Sequence, residues 1–186
     1  MFRTNESFYS FIEDLYNQPA LRDQISLKVY DKGDFLLQQG DTLARVLIIR
    51  EGIAKCYSTE DNGKDFIRQF MGKGQQVGDL EVIKGIKCMN NVQAITPLTA
   101  FAVAVPYFRH LYSTNLKFSS ILMEELADRL IITDTKATLQ QLYTLEHSLR
   151  KLLELMEIQQ LTISKEDMAS YLGISVRSLN RILKTL

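Results

Sequence analysis

The sequence predicts an α+β chain in which a short helical lead-in, an antiparallel β-barrel or roll, one long helix and a terminal helix-turn-helix follow in order. Three observations carry this expectation. Between Ser26 and Val105, brief apolar runs alternate with glycine punctuation. From about Leu116, a segment without Gly or Pro carries apolar residues three and four apart. The stretch Ser164–Leu186 has the caps and apolar spacing of two short helices joined by a turn.

The elements can be justified in turn. Phe8, Phe11, Ile12 and Leu15 recur at helical spacing until Pro19 interrupts them, which gives the lead-in between Asn5 and about Ile25. SLKVYDKG, FLLQQGD, RVLIIREG, IAKCYSTEDNG, DFIRQFMGKG, NNVQAIT and LTAFAVAV then have strand length, with Gly33, Gly40, Gly52, Gly63 and Gly74 at run ends where turns need a permissive backbone. Asn62-Gly63 is a hairpin signal. Pro106 suits the first turn of a helix. Ser119, Leu122, Leu126, Leu130, Thr133, Ala137 and Gln140 trace a heptad-like stripe, which spacing allows either to pack on the chain's own barrel or to meet its copy in a parallel dimer. Thr133 and Asp134 would be tolerated near that axis if they touched a bound effector or each other. Thr144 can cap a further helix whose Leu149, Leu152, Leu153 and Met156 would seat the terminal pair, leaving a hinge near Tyr143.

Composition narrows the function classes. The chain has 186 residues, 46% of them hydrophobic, enough for a sizeable core, and 22 Lys and Arg balance 22 Asp and Glu. No overall basic bias announces nucleic acid or an anionic membrane; the bias is local. From Ser164 on, the four cations Lys165, Arg177, Arg181 and Lys184 face two acids, and both acids fall in the first helix of the pair. No apolar run has transmembrane length and the N-terminus lacks a signal-peptide core, so a cytoplasmic protein is expected. Cys56 and Cys88 are too few for a four-cysteine cluster and read as buried thiols, with a redox pair as the alternative. His110 and His147 are too few for a multi-histidine metal site.

In the terminal pair, Ser164 caps the first helix with Asp167 supporting it, Met168 and Leu172 share one face, small Ala169 permits close packing, and Gly173 ends the helix. Ser175 caps the second. Its Leu179, Ile182, Leu183 and Leu186 turn inward, leaving Val176, Arg177, Ser178, Asn180, Arg181 and Lys184 as an outward row. Arginine can pair with guanine edges or phosphates, asparagine with adenine, and Ser175 with the helix N-terminus can hold a phosphate.

With the roll glycines in KGDFLLQQGD and REGIAKCY, the segment VGDLEVI and the terminal SVRSLNRILKTL, nearly the whole chain resembles the Crp/Fnr family of bacterial transcription regulators. The loop from Val77 to Ala94, GDLEVI followed by NVQAI, is similar to the divergent YeiL-like branch. The resemblance implies a double-stranded β-helix of the cyclic-nucleotide-binding type at 1–115, a dimerisation and coupling helix at 116–143, and a helix-turn-helix at 144–186. It also implies a homodimer joined through Leu122, Leu126, Leu130, Thr133 and Ala137, bound to double-stranded DNA at a near-palindromic operator and able to engage RNA polymerase, with no membrane partner and no catalytic role. Ser175 would hold phosphate and Arg181 read a base.

The implied effector pocket comprises Gly78, Asp79, Leu80, Cys88, Met89, Asn90, Thr133 and Asp134. Gly78-Asp79 approximates the family's Gly-Glu, but its phosphate-gripping Arg-Ser falls here at Cys88-Met89 or Met89-Asn90, and neither supplies a cation. Lys84 or Lys87 would have to replace it, so ordinary cyclic AMP recognition is disfavoured and the effector is left unassigned. No metal, haem or iron–sulfur cofactor is expected. Val176 and Arg177 stand where the family often has a base-reading Arg and a Glu, which alters the expected operator. The family's β-hairpin wing does not follow within these residues, and reduced DNA affinity of this chain is expected. The competing reading is a small-molecule-binding module without DNA binding, which would have no need of the 164–186 spacing. A metal-dependent cupin-like enzyme would need histidine in the strands, which have none.

Overall fold

The structure is a computed structural model that describes residues 2–59, 63–142, 144–158 and 161–184, with side chains described except at Phe2 and over 136–142. The element order is β1 (Phe2–Arg3), α1 (Glu6–Tyr16), a 3-10 turn (Pro19–Leu21), β2 (Ile25–Tyr30), β3 (Phe35–Leu37), β4 (Arg45–Glu51), β5 (Ala54–Thr59), β6 (Asp65–Met71), β7 (Gln76–Val77), α2 (Asp79–Lys84), β8 (Asn91–Ala94), β9 (Leu98–Ala104), α3 (Val105–Thr114), α4 (Leu116–Leu142), α5 (Leu145–Ile158), α6 (Lys165–Leu172) and α7 (Val176–Leu183). The expected α+β order holds. The strands form a roll of two sheets, ordered β1-β6-β5-β8-β3 and β2-β9-β4-β7, neither of which closes into a barrel.

Strand periodicity explains why the roll is covered on both sides. Along β4, Leu47 and Ile49 face the cluster between the sheets while Val46 and Ile48 face outward, and β9 repeats this with Ala100 and Ala102 against Phe101 and Val103. The outward set of this sheet packs on α1, α3 and the start of α4 through Phe8, Ile12, Phe108 and Phe118. Phe118 lies 5.3 Å from Phe8 and 5.4 Å from Phe108, ring centroid to centroid, in edge-to-face geometry. The outer face of the other sheet offers Tyr57, Ile67 and Phe70, which join Leu149, Leu152, Met168, Leu179 and Ile182 in a third cluster. The layers therefore run helices, sheet, sheet, helices.

Several features have no counterpart in the sequence reading. β1 pairs in parallel with β6, Phe2 opposite Phe70 and Arg3 opposite Met71. α2 follows directly on β7, with Gly78 as its N-cap. Asn62 and the Tyr143 hinge lie outside the described residues. The caps at Ser164 and Ser175, the Gly173 stop and the helical start at Pro106 are as expected.

Gly74 connects the lead-in to the roll. Its φ is +79°, and a Cβ there would overlap the carbonyl oxygen of Asn5, whose N–H donates to Lys73 O at 2.8 Å. Gly63, at φ +74°, has open space around the same position. Gly63→Ala should therefore cost about 1 kcal/mol, from backbone strain alone, and Gly74→Ala at least about 3 kcal/mol, since strain and overlap combine. Urea denaturation compares the two; equal losses would contradict the assignment.

Candidate functional site

A cavity of about 380 Å³ opens between the inner face of β5, β6 and β8, the β7–α2 turn and α4. Of the residues expected there, Gly78, Asp79, Leu80, Met89, Asn90 and Thr133 line it. Cys88 does not: it is 3% exposed in the cluster between the sheets, where its carbonyl receives the Gly40 N–H at 2.8 Å and its N–H donates to Asp41 at 2.9 Å. Asp134 is exposed and does not line the cavity either, because one residue beyond Thr133 the helix has turned about 100° away. Lys84 and Lys87 are likewise not among the lining residues. Cys56 does reach the wall, and burial pushes its thiol up to about 12; burial raises Cys88 as well, so neither is held as a thiolate at neutral pH.

Sequence reasoning missed both cations of the lining, the exposed Arg68 on β6 and the more deeply set Arg129 on α4. Its Nη1 donates to both oxygens of Asp79, at 3.1 and 2.8 Å, its Nε to Glu125 Oε1 at 2.9 Å, and its Nη2 to Gln76 Oε1 at 2.7 Å and to the Gln76 carbonyl at 3.5 Å. All of the guanidinium's N–H donors are engaged. Glu125 also accepts from Arg3 at 2.8 Å, Gln75 at 3.3 Å and Asn5 at 2.5 Å. Desolvation pulls Arg129 down, but Asp79 and Glu125 together outweigh it, so its pKa is raised and the guanidinium stays charged. At Asp79 burial is the larger effect and raises its pKa, opposed by Arg129. The i,i+4 spacing of Glu125 and Arg129 was the available sequence signal, but it reads equally as a solvated helix pair.

The expected dimer stripe needs correction. Leu122 is 5% exposed and Leu126 packs beside it against the chain's own helical core, so these two are not presented outward. Leu130 is exposed, Thr133 borders the cavity, and the Ala137 side chain lies outside the described set. The exposed face of α4 instead carries Leu116, Ser120, Met123, Ala127, Leu130 and Asp134, at alternating spacings of four and three, with Ile131 at its edge. That face lies opposite Phe118, Leu122, Glu125 and Arg129, which turn toward the roll.

α6 and α7 form the terminal pair. Ser164 Oγ accepts the Asp167 N–H at 3.0 Å and Ser175 Oγ the Ser178 N–H at 3.1 Å, while Met168, Ala169, Leu179 and Ile182 are buried. Arg177, Arg181 and Lys184 are exposed, and with Ser178 and Asn180 they border one shallow depression. Asn180 Oδ1 accepts from Lys165 Nζ at 3.0 Å. Val176 departs from the expected outward row and packs against the apolar cluster. The pair is seated on the roll: Lys55 Nζ meets Asp167 at 2.6 Å, Ser170 Oγ donates to the Asp65 carbonyl at 2.6 Å, and the Phe70 and Tyr171 rings lie 5.5 Å apart. Asp167 thus serves the roll contact with its carboxylate and the cap only through its backbone.

Arg129→Met would leave Asp79, 2% exposed, as a buried carboxylate without its cation, and Glu125, also 2% exposed, with Arg3 alone. The expected loss is about 3–5 kcal/mol in urea denaturation at neutral pH, and adding Asp79→Asn should return part of it. A loss within experimental error of zero would mean the ion network does not hold α4.

Residues 27–115 match the family model of the cyclic nucleotide-binding domain. No curated protein sequence gives a significant match. Among solved structures, the chain is similar to CLP of Xanthomonas campestris, described as a c-di-GMP-responsive global regulator, at 17% identity and a TM-score of 0.76 over 88% of this chain and 86% of that one. It is similar to a CooA variant from Carboxydothermus hydrogenoformans at 14% identity and a TM-score of 0.77, over 100% of this chain and 87% of that one. A protein from Eubacterium rectale assigned to the Crp/Fnr family of transcriptional regulators gives 15% identity and a TM-score of 0.78, over 97% and 87% respectively. Residues 27–115 are thus similar to the cyclic nucleotide-binding domain, and the chain has the fold seen in the Crp/Fnr-type transcription regulators.

Proposed function

We propose that this chain is a DNA-binding transcription regulator that works as a homodimer, with a sensing roll (1–115), a coupling helix (116–143) and a reading unit (144–186). The observation that carries the reading is α7: a Ser175-capped helix, apolar inside, that exposes Arg177, Arg181 and Lys184 from the second position of a helix-turn-helix. In this reading Arg181 contacts a base edge while Ser175 and the helix N-terminus hold a phosphate. Arg177, Ser178, Asn180 and Lys184 complete the contact surface, and Val176 supports it from behind. Two such helices on a dimer would match a near-palindromic operator, from which the complex could engage RNA polymerase. Among the described residues no helix is long and apolar enough to cross a membrane.

The cavity is the effector site in this proposal, formed by Gly78, Asp79, Leu80, Met89, Asn90 and Thr133 together with Arg129. Cyclic AMP is disfavoured as its occupant. The 88–90 segment supplies no cation, and Arg129 can meet a phosphate only by leaving a buried carboxylate.

Two experiments test the reading. On an operator selected from random duplexes, Arg181→Ala should cost about 1–3 kcal/mol and relax preference at one base pair, whereas Ser175→Ala should weaken variant sites more uniformly. Gel-shift series read both; equal losses on every site for Arg181→Ala would remove its base-reading role. For the dimer, Leu130→Glu on the exposed face of α4 should raise the dissociation constant about a hundredfold by light scattering. Leu126→Ala should lower stability without that shift, and an unchanged dimer in Leu130→Glu would place the interface elsewhere.

A further inference from the structure

We propose that the cavity between the roll and α4 takes a small, largely apolar ligand that carries an N–H or O–H donor and no negative charge. This rests on reading the cavity as the effector site and adds the chemical class of the effector. A volume of about 380 Å³ suits an organic molecule of modest size. Leu37, Cys56, Phe66, Val92 and Ile132 supply apolar wall. Leu80 and Met89, 37% and 47% exposed, add large apolar side chains to the lining where it meets solvent. Covering such surface with an apolar body removes it from water, which favours binding.

The charges decide which apolar molecule. Arg129 is committed at every donor to Asp79, Glu125 and Gln76, so it has no N–H left for an incoming anion. Glu81 is 8% exposed and lines the same space; its Oε1 receives the Met89 N–H at 3.3 Å, and no cation among the described residues forms an ion pair with it. Arg68 lines the cavity as an exposed residue and is itself engaged in an interaction. An anion at the inner end would therefore lie beside the Asp79 and Glu81 carboxylates with the Arg129 guanidinium already committed, and only neutral groups such as the Asn90 amide would offset its desolvation there. A ligand donor can instead meet the Glu81 carboxylate in a charge-assisted hydrogen bond.

A matched pair of fluorescent probes isolates charge. Phenyl-naphthylamine has an apolar body, an N–H and no charge; anilinonaphthalene sulfonate has the same body with a sulfonate added. Titrated into the full chain, the naphthylamine should bind once per chain and at least about tenfold more tightly than the sulfonate. Cyclic AMP should not displace it. Glu81→Gln should narrow the difference between the probes to about threefold or less, since the repelling charge is gone while the site keeps its shape. Thr133→Trp places bulk at the cavity from an exposed helix position and should abolish the saturable naphthylamine signal, with circular dichroism reporting an unchanged fold. Sulfonate or cyclic AMP binding as tight as the naphthylamine overturns the proposal, as does a naphthylamine signal that survives Thr133→Trp. The probe preference in a chain that fails to retard any DNA would support the ligand class while overturning the regulator reading. DNA retardation with the preference reversed would do the opposite.

Discussion

The structure depends on one ion cluster, in which the largely covered Arg129 is held between the buried carboxylates of Asp79 and Glu125. A guanidinium and two carboxylates removed from water are costly unless nearly every polar atom is satisfied, and here the donors of the one and the acceptors of the others are matched in number and direction. Such a cluster adds little net stability over an apolar core. Its effect is to fix geometry: Asp79 sits at the head of α2, Glu125 and Arg129 on successive turns of α4, and Arg3 on β1. Three parts of the chain far apart in sequence are thereby held in one arrangement, and sliding α4 by a turn would leave unpaired charge.

That constraint assigns the two faces of α4. The inner face, with Phe118, Leu122 and Arg129, is held to the roll, so the apolar side chains left over, Leu116, Met123, Leu130 and Ile131, stand in solvent on the far side. Exposed apolar residues in an unbroken heptad register are unusual on a monomer surface and favour a partner with the same pattern. At the other end of the molecule, α6 and α7 bury their apolar faces with the outer residues of β5 and β6, closed by the Lys55–Asp167 pair. The terminal helix pair and the cavity thus share a sheet: Cys56 faces the cavity side of β5 while Tyr57, across a bulge, faces the helices.

How much of this was legible follows from how local each determinant is. The strand runs, glycine turns and serine caps are set by residues within a few positions of each other, and the sequence displays them directly. The phase of the α4 stripe is not local. With apolar residues on both the roll-facing and the exposed side, spacing alone admits more than one stripe, and only the position of Phe118 and Arg129 against the roll selects between them. Cys88 and Asp134 failed as cavity residues for a similar reason, since a one-residue step in a loop or helix redirects a side chain away from the space its neighbour faces. Arg129 was hidden because a charged residue four positions from a carboxylate ordinarily lies in water. The two-residue strands β1 and β7 carry too few residues to show a period at all.

A ligand can move a conformational equilibrium only by contacting two states unequally. Among the described side chains, α4 gives the cavity wall Arg129, Ile132 and Thr133, and unequal contact with this part of the helix acts through those three or through the residues that hold Arg129. Ile132 and Thr133 offer dispersion and one hydroxyl, and that hydroxyl already donates to the Arg129 carbonyl at 2.7 Å. The steepest dependence of energy on displacement belongs to the bidentate Arg129–Asp79 contact, where directional charged bonds in a low-dielectric interior weaken over a fraction of an ångström. Asp79 is also the first residue of α2, a helix whose start at Gly78 forms part of the cavity lining. Occupancy that shifted the β7–α2 turn would therefore be felt first by Arg129, and through α4 by whatever packs on its exposed face. The ion network that fixes the resting geometry is, for the same physical reason, the element most sensitive to what fills the space beside it.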